Sequence, residues 1–134
     1  MRIFGNGVDI IDNSRIEKSI KIKGFINRIF TKNEISDSKK TKNKVSFFAK
    51  RFAAKEAMVK AIGTGFRNKI NFKDIEVKNN YLGKPKISIN KKIIIMLKEK
   101  LNLENFNIHL SLADEKKYSI AYIVIDKKKW VKNS

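Results

Sequence analysis

Two carboxylates occupy positions where the surrounding pattern favours an apolar residue. Asp9 falls inside the apolar, glycine-containing run 4–11. Glu56 falls on the apolar side of a segment with helical periodicity, about 40° from Phe52. An ionised carboxylate in such surroundings is unfavourable unless a cation, a metal ion or hydrogen bonds compensate it. Two simple interpretations are that Asp9 meets solvent at a strand end and that Glu56 pairs with Lys60 at i,i+4. If the two acids converge instead, their hard oxygen atoms suit Mg²⁺, which water and substrate phosphates commonly complete.

Cations and glycines surround the second of these acids. Arg51, Lys55 and Lys60 flank the apolar stripe, and Gly-Thr-Gly follows at 63–65. Glycines let backbone N–H groups approach an anion closely, so one interpretation of Gly-Thr-Gly is a phosphate-binding site. The other interpretation is that these residues simply end the helix as a C-cap. Because the C-terminal end of a helix dipole disfavours phosphate, such a site would depend on side-chain cations and a metal ion. The spacing does not match a P-loop, whose Gly-x-x-x-x-Gly-Lys-Ser/Thr opens a helix.

His109 is the only histidine. It and Ser111 project from one face of a predicted strand, whereas Leu110 faces the other side. No Ser/His/Asp or Cys/His arrangement accompanies it, so we interpret His109 as a half-buried structural residue. The Gly-Lys-Pro sequence at 83–85 predicts a turn.

Periodicity and capping signals predict the elements that position these residues. In the first half they are a buried strand over 3–11, a short helix over 15–22 capped by Asn13 or Ser14, a helical turn or two over 25–30, and a long helix over 46–62 ended by Gly63. The polar stretch 31–44 is predicted to be exposed, as a mobile loop or a short surface helix.

The second half is predicted to be richer in strands. Its elements are a hairpin of strands 72–78 and 86–89, a helix over 91–101 capped by Asn90, and two strands over 107–112 and 118–126. This order predicts an α+β fold in which an antiparallel β-sheet packs against a long central helix. The basic tail 127–134 carries Trp130, which either packs back on the body or forms a subunit contact.

Length and composition limit the class of protein. The 134 residues suit a single domain over 1–134. The absence of Cys excludes disulfides and thiolate metal sites, and a single His excludes His-rich zinc sites. No apolar run reaches the roughly 18 to 20 residues that span a bilayer, and residues 1–7 lack the features of a signal peptide. We therefore expect a cytoplasmic protein with no membrane association.

The formal net charge of +18 indicates a polyanionic partner. Genome composition can account for much of this positive charge, because Lys, Asn and Ile, which are encoded by A/T-rich codons, supply 61 of the 134 residues. Only 5 of the 31 cationic residues are Arg, the residue suited to bidentate phosphate and guanine contacts.

Charge alone supports a basic nucleic-acid-binding module, such as a ribosome-associated one, as the alternative function. Against it, aromatic residues such as Phe48 and Phe52 occupy core-pattern positions. An anionic-membrane-surface protein is a further alternative, but no predicted helix combines a long basic face with a bulky apolar one.

Several motifs occur together in a characteristic order between Phe4 and about Ile125. The most specific is Arg-Phe-Ala-Ala-Lys-Glu-Ala at 51–57. The others are Gly-Asn-Gly-Val-Asp-Ile at 5–10 followed by Arg-Ile at 15–16, Lys-Ala-Ile-Gly-Thr-Gly at 60–65, Phe-x-Asp-Ile-Glu-Val at 72–77, Gly-Lys-Pro at 83–85 and His-Leu-Ser-Leu at 109–112. In this order and spacing the motifs resemble the holo-[acyl-carrier-protein] synthase family, the small, single-lobed 4′-phosphopantetheinyl transferases.

The resemblance implies an activity and a fold, that of the 4′-phosphopantetheinyl transferases. The 4′-phosphopantetheine arm of coenzyme A moves to a Ser hydroxyl of apo acyl carrier protein, which releases adenosine 3′,5′-bisphosphate and supports fatty acid biosynthesis. Such a step gains mainly from positioning and charge neutralisation, so a divalent cation on the pyrophosphate is expected. By position, Asp9 and Glu56 are the Mg²⁺ ligands and Lys60 contacts the pyrophosphate. The general base stays open between a metal-bound water and Glu56.

The resemblance also implies where coenzyme A binds. Arg51 faces its 3′-phosphate, and Gly63, Lys84, Pro85 and Ser111 line the nucleotide site. The chain departs from the family at Asp114, where many relatives carry His; Asp114 either substitutes as a hydrogen-bond acceptor or belongs to the turn.

The implied partner is acyl carrier protein, a small acidic protein that a basic surface would steer electrostatically. The docking surface lies on the first helix, and the residues carried over to it are Arg15, Lys18, Lys21 and Lys23, with Arg28 nearby. The resemblance further implies a homotrimer with active sites between protomers.

Overall fold

A three-stranded and a two-stranded antiparallel sheet lie against a 19-residue helix in the computed structural model, which describes residues 2–128. In chain order the elements are β1 (Arg2–Asp12), α1 (Asn13–Ser19), α2 (Phe25–Ile29), α3 (Lys32–Ser38), α4 (Lys44–Ile62), two 3₁₀ turns (Thr64–Lys69 and Phe72–Asp74), β2 (Ile75–Asn79), β3 (Pro85–Ile89), α5 (Lys91–Leu101), β4 (Phe106–Asp114) and β5 (Tyr118–Lys127). This arrangement confirms the predicted α+β fold. The expected contact of Trp130 lies outside the described residues.

The larger sheet has the order β1-β5-β4, and β2 and β3 form a separate hairpin. Both neighbours of β5 run antiparallel to it, which places Asp9 opposite Ala121 and Ser111 opposite Tyr122. The N- and C-terminal strands are therefore paired, and residues far apart in the chain share one surface.

Helix α4 forms the core against which both sheets pack. The Asn43 side chain accepts a hydrogen bond from the Ser46 N–H, which caps the helix and starts it two residues earlier than predicted. It ends at Gly63, whose φ of 130° disfavours any residue with a side chain. The apolar-stripe prediction was too narrow, since 13 of the 19 helical residues are buried. No helix within residues 2–128 has the length and apolar character needed to cross a bilayer.

Two glycines of β1 allow the strand to pack directly on the backbone of α4. A Cβ atom built on Gly5 would overlap the carbonyl oxygen of Ala61, and one built on Gly7 would overlap that of Ala57. Each contact pairs a residue without a side chain with one that has only a methyl group. The strand that carries Asp9 is therefore held as close to the helix as main-chain atoms permit.

The polar stretch 31–44 contains helix α3, as one interpretation predicted, and it is largely exposed as expected, except for Glu34 and Ser38, which are buried. Thr31 caps α3, and its backbone N–H in turn bonds the Glu34 side chain. Glu34 is fully buried: its carboxylate lies 2.8 Å from the Lys55 ammonium and accepts the N–H of Val77 at 2.9 Å. Lys55 also donates to two carbonyl groups at and before the start of β2. An ion pair thus joins α3, α4 and β2 in the interior.

Asp74 joins the base of the β2–β3 hairpin to helix α5. Its carboxylate accepts the Asn71 N–H at 2.8 Å and the Asn90 amide at 2.7 Å, and it lies 3.1 Å from the Lys92 ammonium. Burial raises the pKa of Asp74, but these hydrogen bonds and the charge of Lys92 outweigh burial and hold the pKa below its ordinary value. The hairpin is therefore anchored through one ionised side chain.

The outer face of the larger sheet is apolar and exposed. Val8 lies opposite Tyr122, and Ile10 lies opposite Ile120. Between 39% and 60% of the surface of each of these four residues is accessible. The prediction of a fully buried first strand therefore holds only for the face that meets α4. A contiguous apolar surface of this kind marks an interaction site.

Candidate active site between β1 and the central helix

The two predicted acids converge. Asp9 lies in the middle of β1 and Glu56 in the fourth turn of α4, and both line one cavity of about 250 Å³. The other residues that line it are Ile10, Ile11, Arg15, Phe52 and Arg67. Only 15% of the Asp9 side chain and 13% of the Glu56 side chain are exposed. The interpretation of Asp9 as a solvated residue at a strand end was therefore wrong.

Each acid carries a cation from another element. The Lys60 ammonium lies 3.0 Å from Asp9 Oδ1 and also donates to the Val8 carbonyl at 3.1 Å. The Arg67 guanidinium donates to both oxygens of Glu56, at 2.7 and 3.4 Å. The interpretation in which Glu56 pairs with Lys60 was wrong, because the close packing of β1 brings Asp9 within reach of Lys60 and leaves Glu56 to Arg67.

The charges of this cluster act on one another. Burial raises the pKa of Asp9 above its ordinary value, and the negative charge of Glu56 raises it further. The hydrogen bond from Lys60 and the charges of Lys60 and Arg67 oppose this rise without cancelling it. The hydrogen bond and charge of Glu56 raise the pKa of Arg67, which therefore stays protonated. The cavity thus holds two largely buried carboxylates, each of which is paired with one cation.

The donor set fits a hard divalent cation. Asp9 and Glu56 supply carboxylate oxygens, the ligands that Mg²⁺ prefers. Within residues 2–128 no group of three or more His, Cys, Asp or Glu side chains could hold a metal ion. The chain would therefore supply two ligands and leave positions for water and phosphate oxygens, which is the usual arrangement for Mg²⁺ in phosphate-transfer sites.

Arg51 lies on another side of the helix. It precedes Glu56 by five residues, which separates the two side chains by about 140° around α4. Its guanidinium lies 3.6 Å from the centroid of the Phe47 ring, and its buried Nε has no hydrogen-bond partner among the described residues. Burial is the main cause that lowers the pKa of Arg51. The residue lines a second cavity, of about 480 Å³, together with Asp37, Lys40, Thr41, Phe47, Lys50 and Asn79.

Lys55 does not supply charge to a phosphate site in this structure. The sequence suggested that it flanks the apolar stripe, but its side chain is fully buried and bonded to Glu34. Of the other two predicted cations, Arg51 lines a cavity and Lys60 contacts Asp9 of β1.

The remaining predicted nucleotide-site residues lie elsewhere on the chain. Lys84 and Pro85 follow Gly83, whose φ of 83° confirms the predicted turn between β2 and β3. Ser111 is exposed on the outer face of β4, and Gly63 ends α4. None of these residues lines the cavity of Asp9 and Glu56. The chain thus brings together the acids, Lys60 and Arg15, and leaves the predicted nucleotide-site residues apart.

His109 shares the outer face with Ser111, as predicted, and 58% of its side chain is exposed, so it is slightly less buried than the half-buried interpretation predicted. Its Nε2 lies 2.5 Å from Oδ2 of the buried Asp126. The hydrogen bond from His109 is the main cause that lowers the pKa of Asp126.

Asp114 acts as a hydrogen-bond acceptor in this structure. The Ser46 hydroxyl donates to its carboxylate, and the Lys50 ammonium lies 3.7 Å away. Both donors belong to the first two turns of α4. Asp114 therefore ties the end of β4 to the start of the central helix.

The predicted docking residues are exposed, and one of them borders the acidic cavity. Arg15 lines that cavity, and Lys18 and Lys21 lie further along the same segment. Arg28 lines a third cavity, of about 620 Å³, which shares Arg67 with the first. No motif in the sequence singles out Arg67; only its position two residues after Gly-Thr-Gly hints that it lies near the end of α4.

Comparison with known proteins places these features in a family. A sequence model of the 4′-phosphopantetheinyl transferase superfamily matches residues 5–123. The holo-[acyl-carrier-protein] synthase of Pelagibacter ubique is 54% identical over 128 residues, which cover 96% of this chain and 100% of that protein.

Solved structures of holo-[acyl-carrier-protein] synthases share the fold of this chain. A holo-(acyl-carrier-protein) synthase of Bacillus anthracis in complex with CoA (3′,5′-ADP) superimposes with a TM-score of 0.78 at 36% identity, covering 96% of this chain and 100% of the other. The synthase of Neisseria meningitidis gives a TM-score of 0.82 at 35% identity, covering 93% and 99% of the two chains.

Proposed function

This chain belongs to the 4′-phosphopantetheinyl transferase superfamily as a holo-[acyl-carrier-protein] synthase, and from this premise we propose that it transfers the 4′-phosphopantetheine arm of coenzyme A to a Ser hydroxyl of apo acyl carrier protein. The observation that carries the proposal is the convergence of Asp9 and Glu56 on one cavity, with the Lys60 ammonium 3.0 Å from Asp9. The coenzyme A complex of the Bacillus anthracis relative supports the same substrate for this chain.

The residues of the cavity have separable roles in this reaction. The Ser hydroxyl gives its proton to a general base, for which Glu56 and a metal-bound water are the two candidates, as its oxygen attacks the β-phosphorus of coenzyme A. The bond between that phosphorus and the bridging oxygen breaks, which releases adenosine 3′,5′-bisphosphate. A Mg²⁺ ion held by Asp9 and Glu56 would neutralise charge on the pyrophosphate. Lys60, positioned by Asp9 and the Val8 carbonyl, stabilises the negative charge that develops on the transferred phosphate.

We propose that coenzyme A binds between subunits. Arg51 receives the 3′-phosphate, and Gly63, Lys84, Pro85 and Ser111 line the nucleotide. The 140° or so between Arg51 and Glu56 around α4 prevents one subunit from presenting both to the same face. A neighbouring copy can supply the side of the site that is missing.

The exposed apolar face of the larger sheet supports a homotrimer. Val8, Ile10, Ile120 and Tyr122 form a patch that water contacts in the isolated chain. Ser111 lies next to Tyr122 on this face, so an interface here would bring a nucleotide-site residue to a subunit boundary. The proposed occupant of the patch is therefore another copy of this chain.

The acidic carrier protein docks on the segment that begins at Arg15. Arg15 lines the cavity of the two acids, so a carrier held there presents its Ser close to them. Lys18, Lys21 and Arg28 extend the positive surface, and Ile22, 61% exposed, supplies an apolar contact between them. A basic surface of this kind accelerates encounter with an acidic partner.

The proposed setting is fatty acid biosynthesis in the cytoplasm, with residues 1–134 acting as one catalytic domain. The family match over residues 5–123 supports the single domain, and the carrier-protein substrate supports the pathway.

The test is direct. The protein is incubated with coenzyme A, Mg²⁺ and apo acyl carrier protein, and the intact mass of the carrier is measured. We expect the mass to increase by one phosphopantetheine group, and we expect no increase when Mg²⁺ is omitted and EDTA is added. An unmodified carrier under all conditions would contradict the proposal, and modification that persists in EDTA would remove the metal from it.

A further inference from the structure

Arg67 forms an ion pair with Glu56, one of the two carboxylates proposed to bind the metal ion. Its guanidinium donates to both oxygens of Glu56, at 2.7 and 3.4 Å, so one acceptor site on each oxygen is already engaged. Lys60, by contrast, contacts only Oδ1 of Asp9 and leaves Oδ2 open. The two candidate ligands therefore differ: one has a free oxygen, and the other is covered by a bidentate cation.

The position of Arg67 suits a displaceable contact. It lies on the exposed 3₁₀ turn Thr64–Lys69, which has no buried residue, and 47% of its side chain is accessible. Its side chain has no other hydrogen bond or ion pair within the described part of the chain. A half-exposed ion pair of this kind contributes little to stability, so its loss costs the fold little.

A second location is available to the released side chain. Arg67 also lines the cavity of about 620 Å³ that Arg28, Asn68 and Lys73 border. That cavity adjoins the docking surface proposed for the acidic carrier. A guanidinium that leaves Glu56 can therefore turn towards an incoming anionic group without any rearrangement of the turn.

We propose that Arg67 is a displaceable counter-ion that occupies Glu56 in the metal-free enzyme and sets the affinity of the site for a divalent cation. This inference rests on the proposed metal site. Arg67 holds Glu56 in the cavity before the metal arrives, and a divalent ion must displace the guanidinium to reach the Glu56 oxygens. Competition between two cations for one carboxylate lowers the apparent affinity for the metal.

The test measures metal binding without catalysis. Mn²⁺ is titrated into the full chain, in the absence of coenzyme A and carrier, and free Mn²⁺ is followed by electron paramagnetic resonance. We expect Arg67→Gln to bind Mn²⁺ about fivefold more tightly than the wild type at low ionic strength, as loss of a half-exposed ion pair permits. Arg67→Lys, which keeps the charge without the bidentate geometry, should fall between the two.

Two controls isolate the contact. Lys69→Gln removes the same charge from the same turn, and Lys69 has no contact with Glu56 among the described residues, so its affinity should change less than twofold. In a protein that already carries Glu56→Gln, the further change Arg67→Gln should not increase the affinity for Mn²⁺. An Arg67→Gln protein with wild-type or weaker affinity would overturn the role of Arg67 alone. Absence of Mn²⁺ binding in every protein would overturn the proposed metal site together with it.

Discussion

The ammonium of Lys55 lies 2.8 Å from the carboxylate of Glu34, and neither side chain is exposed to solvent. The pair joins α4, the helix that carries Glu56, to α3 and, through the N–H of Val77, to β2. Removal of one partner leaves an uncompensated buried charge. We therefore expect Glu34→Gln to lower the free energy of unfolding by about 3–5 kcal/mol, measured by urea denaturation.

A matched control is the exposed pair Asp37–Lys40, with side chains 39% and 80% accessible and 3.8 Å apart. Asp37→Asn should change stability by less than about 1 kcal/mol. The double variant Glu34→Gln/Lys55→Met should recover part of the loss of Glu34→Gln. A Glu34→Gln protein as stable as Asp37→Asn would show that the buried pair does not stabilise the fold.

A side chain at Gly7 should separate the strand from the helix. Because its Cβ would overlap the Ala57 carbonyl, Gly7→Ala should cost about 1–3 kcal/mol and reduce the transfer rate by displacing Asp9 from Glu56. Thermal unfolding and carrier modification measure the two effects. Gly65→Ala, where a Cβ meets nothing within 4 Å, serves as control and should stay within about 0.5 kcal/mol of the wild type. Equal stability of the two variants would argue against close packing at Gly7.

The stability contribution of Asp74 should depend on pH. Its pKa in the folded protein lies below the ordinary value of 3.8, so the folded state favours the ionised form. The stabilisation is fully present above the unfolded-state pKa and is lost as the pH falls through the lower pKa of the folded state. Asp74→Asn should therefore cost about 1–2 kcal/mol at pH 7, and the difference from the wild type should shrink below pH 3.8. A difference that is constant from pH 7 to pH 3 would show that ionisation of Asp74 contributes nothing.

Charge reversal at Arg15 should affect the carrier more than coenzyme A. Arg15→Glu places a negative charge on the proposed docking surface, and we expect the KM for apo acyl carrier protein to rise at least tenfold while binding of coenzyme A changes little. Because salt screens charges on the surface, the difference between variant and wild type should narrow at high ionic strength. Lys91→Glu on α5 is the control for net charge. Equal losses for both substrates would remove Arg15 from the docking surface.

The apolar sheet face should be needed for assembly. Ile120→Asp introduces a charge into the proposed interface and should shift the trimer towards monomers in sedimentation velocity. Ile94→Asp, at an apolar position of α5 that is 45% exposed, should leave the assembly unchanged.

If the site is shared between subunits, a mixture of Glu56→Gln and Arg51→Gln subunits should regain activity that neither variant has alone. A monomeric wild type would refute the shared site.

The two acids could be singled out from the sequence, because each interrupts an apolar pattern. Their convergence was implied by the family resemblance, since the pattern alone also allowed Asp9 at a strand end and a Glu56–Lys60 pair. The buried Glu34 could not be predicted, because its partner Lys55 is 21 positions away and a polar stretch looks the same whether it faces solvent or an internal cation. The contact of Arg67 with Glu56 depends on the path of the chain after Gly63, which no periodicity specifies. Local patterns thus predicted the helices, the strands and the two acids. The cations that pair with the carboxylates could not be predicted in this way, because these pairs form through tertiary contacts.

The packing of Gly5 and Gly7 against Ala61 and Ala57 has a consequence for redesign of the site. Where two main chains touch, no rotamer change can widen or narrow the gap, so the separation of the two acids is insensitive to neighbouring substitutions that retain those four residues. An engineer who wishes to accommodate a larger ion would have to shorten or lengthen an acid itself, as in Glu56→Asp, rather than remodel the scaffold.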